Sequence, residues 1–113
     1  MARSMPRREP KTRLDAYEAV FMALAHPVRR RILITLHFQG GSMTAGEIAG
    51  MFEHAWPTTT GHIQNLEAAG LLRHDRQGRM RVYHLEHRRL ELVHDWLGWF
   101  STNPRRERQR RNR

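Results

Sequence analysis

The sequence predicts a mainly α-helical fold with one small β-hairpin, in the order α-α-α-α-β-β-α, and three observations predict it. Apolar residues recur at helical spacing through the first half of the chain and again near its end. Pro27 and Pro57 stand where helices open, and Gly40-Gly41 and Gly70 stand where helices close. Between Leu71 and Leu85 the period drops to two around Gln77-Gly78, which marks two antiparallel strands and their tight turn.

Each element follows from local residues. Thr12 stands three residues before Asp15, a box-like start for a first helix with the stripe Leu14, Tyr17, Val20, Phe21 and Leu24, ending near Ala25. His26-Pro27 opens the second helix, whose Val28, Ile32, Leu33 and Leu36 point inward. After a brief extended stretch, Thr44-Ala45-Gly46-Glu47 is a capping box for a short third helix carrying Ile48, Ala49, Met51 and Phe52. Pro57 opens a fourth helix that runs to Ala69. The third and fourth, with about four residues between them, have the spacing of a helix-turn-helix. The last helix runs from about His87 to Phe100.

At 113 residues there is room for one core and none for a second, catalytic domain. The absence of cysteine removes disulfides, thiolate metal sites and thiol nucleophiles. No apolar run is long enough to span a membrane, and MARSMPRREP lacks the apolar segment of a secretory leader, so a cytoplasmic protein is expected. The net charge of +9 is carried by the ends: residues 1–13 hold +4, residues 104–113 hold +5, and the body is formally neutral. A disordered basic arm is therefore expected over 1–11, the folded domain over 12–102, and a disordered Arg-rich tail over 103–113.

Four segments in order, ALAHPVRRRIL from Ala23, TAGEIAGMF from Thr44, WPTTTGHIQNLEAAGLL from Trp56 and GRMRVYHL from Gly78, resemble the ArsR family of winged helix-turn-helix repressors. The resemblance covers roughly residues 14–100. It implies a homodimer on double-stranded DNA, with the fourth helix in a major groove, the hairpin wing on an adjacent minor groove or backbone, and the terminal helices forming the dimer.

The residues agree with that assignment. At about 100° per residue, Thr59, Ile63 and Leu66 share the inner face of the fourth helix, while Thr58, Gly61, Gln64, Asn65 and Ala68 lie opposite. Thr58 and Thr60 offer hydroxyls to phosphates near the helix start, Gln64 has the amide for bidentate contact with adenine, and Asn65 is a second reader. Gly61 departs from the family pattern, which has a long polar side chain there, so operator identity does not carry over; a close approach of backbone to DNA is one consequence. His62 lies between the faces and suits a structural hydrogen bond. Arg76 and Arg79 flank the wing turn, with Arg73 and Arg81 beside them, a local basic cluster suited to a minor groove. Arg30 and Arg31 lie off the apolar arc of the second helix, either as phosphate contacts or as solvated surface.

For the dimer, the last helix carries Leu90, Leu92, Val93, Trp96, Leu97, Trp99 and Phe100 over roughly 180°, whereas burial against one domain needs nearer 100°. The expected interface takes Leu90, Val93, Trp96, Leu97 and Phe100 from it, with Leu14, Tyr17, Phe21 and Leu24 from the first helix. His87, Glu91 and His94 share one face, but the metal patterns of the family fall on Thr44 and Gly46 and on His87, Arg89, Phe100 and Asn103, of which only His87 can ligate. Neither metal nor cofactor is expected, and a small-molecule effector stays open. No Gly-rich phosphate loop or Ser-His-Asp pattern suggests an enzyme. A protein-interaction module with incidental basic tails is the competing class.

Overall fold

The computed structural model describes residues 12–52, 56–102 and 104–111, and within these the side chains of 13, 56, 107 and 109–111 are left aside. The expected arm over 1–11 and the middle of the helix-turn-helix turn, including His54, lie outside the described residues. Helices α1 (Arg13–Leu24) and α2 (Pro27–Phe38) are followed by β1 (Ser42–Thr44), α3 (Ala45–Met51) and α4 (Trp56–Ala68). The wing strands β2 (Leu72–Gln77) and β3 (Met80–Leu85) lead into α5 (His87–Trp99) and α6 (Pro104–Arg111).

The helix starts obey the capping chemistry of their residues. Asp15 N–H donates to Thr12 Oγ1 at 3.0 Å, and Val28 N–H donates to His26 Nδ1 at 3.2 Å with Pro27 at the first helical position. At α3 the box closes both ways: Glu47 N–H donates to Thr44 Oγ1 at 3.1 Å and Thr44 N–H to Glu47 Oε1 at 3.0 Å. Hydrogen bonding of the Glu47 carboxylate by the Thr44 backbone N–H, and less strongly by the Thr44 side chain, holds the carboxyl below its ordinary pKa. Gly70 ends α4 at φ 78° and Gly78 turns the wing at φ 64°, left-handed conformations that side-chain-bearing residues rarely adopt.

One core joins the layers. Ile32, Leu36, Ile48, Ile63 and Leu66 are almost fully buried, and Leu71, Leu72, Tyr83 and Leu85 cover them from the sheet side. The brief extended stretch before α3 pairs with the wing, so the sheet has three antiparallel strands in the order β1-β3-β2. Pattern reading misses β1 because three residues are too few to display a period of two.

Two further differences stand out. The tail read as disordered is helical over Pro104–Arg111, because a leading proline and arginine, glutamate and glutamine favour a helix locally without an apolar face. Tyr17, expected at the dimer surface, is only 4% exposed within its own chain and packs on Trp99 with ring centroids 5.4 Å apart. Among the described residues, no helix is long and apolar enough to cross a membrane.

Candidate nucleic-acid interface

The fourth helix divides as its spacing dictates. Thr59, Ile63 and Leu66 are buried, which fixes the roll of α4 and turns Thr58, Gly61 and Gln64 to solvent, with Asn65 half-buried at the edge. A Cβ built on Gly61 meets nothing within 4 Å, so open space lies over the backbone there. Thr60 behaves differently from Thr58: it is half-buried, and its hydroxyl oxygen is shut off from solvent with no hydrogen-bond partner among the described residues. Contact with a phosphate then requires a side-chain rotation.

His62 is held structurally. Arg29 Nε on α2 donates to His62 Nδ1 at 3.2 Å, and the His26 and His62 rings lie 4.3 Å apart. This ties α4 to α2 by a polar contact as well as through the apolar core. Simple spacing does not reveal the pair, because its members lie 33 residues apart.

The wing presents its cations selectively. Arg73 is spoken for, donating to Glu86 Oε1 at 2.5 Å and lying 3.9 Å from Asp75. Arg76, Arg79 and Arg81 are exposed and form no ion pair with a carboxylate among the described residues. Arg81 donates to the hydroxyl oxygen of buried Tyr83, which raises its pKa above the already high ordinary value. These arginines, Thr44 at the start of α3 and Thr60 on α4 line one crevice of about 500 Å³. Helix-turn-helix and wing thus converge on a common basic surface.

The sheet also assembles a chain of side chains that pattern reading misses. Ser42 Oγ lies 2.6 Å from His84 Nδ1, and His84 Nε2 lies 3.1 Å from Asp75 Oδ2. The sequence displays no such pattern because Ser42 lies 42 residues, and Asp75 nine residues, from His84. Register brings the three together, since Ser42 pairs with His84 directly and Asp75 stands two residues along β2 from Arg73, the partner of His84 on that strand, and so on the same face. The bonds tie β1, β3 and β2 across the wing base. Glu67 on α4 meets His74 on β2 in the same way and links the fourth helix to the wing. Among the described residues, no three His, Asp or Glu side chains gather in a way that could hold a metal ion, and this includes His87, Glu91 and His94.

Of the expected interface residues, Leu14, Leu97 and Phe100 are exposed at 69%, 55% and 72%. Phe21, Trp96 and Phe100 form an edge-to-face stack with successive centroids 4.9 Å apart. Leu24, Leu90 and Val93 are half-buried against the core of their own chain. The spacing argument passed over Met22, which is 71% exposed on α1.

No family model matches the chain. Over 80 residues, 71% of this chain and 83% of the relative, it is 36% identical to the transcriptional repressor SdpR of Bacillus subtilis. It is 34% identical to an ArsR family transcriptional regulator of known crystal structure, covering 80% of this chain and 96% of that one with a TM-score of 0.69. The chain belongs to the ArsR family of transcriptional regulators. A 24% identical structure with a TM-score of 0.63 shares the fold of this ArsR-family chain over 89% of its length and 91% of the neighbour's. That neighbour is the homodimeric winged helix-turn-helix DNA-binding domain Mb0332 of Mycobacterium bovis.

Proposed function

We propose that this chain is a cytoplasmic repressor that binds an inverted-repeat operator as a homodimer. Gln64 reads a base edge in the major groove, with Asn65 beside it. Thr58 holds a phosphate at the start of α4, Gly61 lets the backbone come close, and Thr60 joins after rotating. Arg76, Arg79 and Arg81 follow the adjacent minor groove or backbone. The observation that carries this reading is the division of α4: its inner face is buried and Gln64 exposed, while Thr60 of the same helix lines one crevice with Arg76, Arg79 and Arg81, which form no ion pair with a carboxylate among the described residues. A polar face held that rigidly beside a basic wing suits a grooved polyanion.

The dimer rests on α5. None of its residues is fully buried in the single chain, although it carries two tryptophans and several leucines. Such a patch calls for a partner, and a two-fold pair places two recognition helices about one DNA turn, or a multiple of it, apart.

The test is a salt titration of binding to duplex DNA. A linear fall of log affinity with log salt supports the reading. Salt-insensitive or absent DNA binding favours the protein-interaction module. Leu97→Glu, at a position exposed in the single chain, should dissociate the pair in sedimentation and remove tight operator binding. A monomer that still binds one half-site tightly would contradict the dimer.

A further inference from the structure

Away from the basic surface, α2 lines an apolar groove of about 350 Å³, within the range of roughly 300–1,000 Å³ typical of small-molecule sites. Arg30, Leu33, Ile34, His37 and Phe38 fall on one face of α2 by their spacing, and Leu24, Leu85 and Leu90 close the other side. Ile34 and Phe38 are 57% and 80% exposed, so they wall the groove rather than fill the core. Among the described residues, none that lines it is acidic.

The charge is placed at one end. Arg30 spends one nitrogen on the Leu24 carbonyl at 2.7 Å, which fixes the guanidinium at the groove mouth and leaves its other donors for a ligand. Seven residues along α2, about 10 Å at 1.5 Å per residue, the imidazoles of His37 and His87 meet with ring centroids 6.3 Å apart and close the far end. An apolar trough of that length with a cation at its mouth complements a molecule with an aliphatic body and one anionic head.

We infer that the groove between α2 and α5 binds a small amphipathic carboxylate, its head on Arg30 and its chain along Leu33, Ile34 and Phe38. Leu85 ends the wing strand β3 and Leu90 belongs to α5, so an occupant touches both the wing base and the helix of the proposed dimer. Binding therefore shifts operator affinity. This last step rests on the DNA-binding reading; occupancy of the groove does not.

Sodium octanoate is the probe, titrated into the full chain without DNA and followed by calorimetry and by the NMR signals of Ile34 and Phe38. The expected result is saturable binding of one molecule per chain, at least tenfold weaker binding of octanol, and none of octyltrimethylammonium. Arg30→Gln should weaken octanoate about tenfold. Ile34→Glu should abolish its binding with an unchanged Tm, because the residue is exposed. Equal affinity for octanol, no saturation below the micelle concentration, or unaltered binding to the Ile34→Glu chain would overturn the site. So would protection of Ile34 and Phe38 from a soluble paramagnetic agent in the ligand-free protein, which would mean that a second copy covers the groove. Octanoate that binds but leaves operator affinity unchanged overturns the coupling, whereas a chain that binds octanoate but never DNA contradicts only the DNA reading.

Discussion

Arg29 on α2 and His62 on α4 are joined by a hydrogen bond of 3.2 Å from Nε to Nδ1, which sets the orientation of the helix carrying Gln64. Because the bond is part-buried and its donor is charged, His62→Ala should cost about 1–3 kcal/mol of folding stability in urea titrations. Operator should lose more affinity than random duplex, with the loss spread over the base positions that α4 reads, since the side chain orients α4 without touching a base. A loss confined to one base position would make His62 a reader instead.

Gln64→Ala should relax discrimination at a single base pair by about 1–3 kcal/mol, measured on a panel of single-substituted operators. Arg76→Ala with Arg79→Ala should weaken every duplex and lower the slope of log affinity against log salt by about 2. Uniform loss for Gln64→Ala would demote that residue to a backbone contact.

Gly61→Ala separates folding from binding. With open space around the position, alanine should stabilise α4 by up to about 1 kcal/mol. If the backbone of α4 rests against the groove, operator affinity should nevertheless fall. A variant that is both more stable and equally tight shows that no close approach occurs there.

The capping box gives a pH dependence with a defined sign. The Glu47 carboxyl titrates lower in the folded chain than when unfolded, where it is near 4.3. Its contribution is complete above the unfolded pKa and disappears as pH falls through the folded one. Glu47→Gln should flatten the loss of stability below about pH 4.3 that wild type shows, as read by Tm against pH. An unchanged acid limb would mean that other carboxylates carry it.

How much of this was legible in the sequence depended on whether the signal was local. Thr12, Thr44, Pro27, Gly70 and Gln77-Gly78 announced their elements because caps and turns are decided within four residues. The inner face of α4 followed from helical period, and α4 begins one residue before the expected Pro57. Contacts that depend on tertiary register were invisible: Ser42 with His84, Arg29 with His62, and β1 on β3. Tyr17 was misassigned for a related reason. A helical wheel shows that α1 has an apolar stripe, but not which part of the stripe α5 of the same chain covers. Likewise the local helix propensity of Pro104–Arg111 was outweighed by its lack of apolar residues.

The central claim is that two copies of this chain read a symmetric DNA sequence. Selection of bound duplexes from a randomised pool at physiological salt tests it most directly. The account predicts enrichment of an inverted repeat with half-site centres about 10 bp, or a multiple of that, apart. The Gln64→Ala chain should lose preference at one symmetric pair of positions. Enrichment of a single unrepeated half-site, or no enrichment over random sequence, would contradict it.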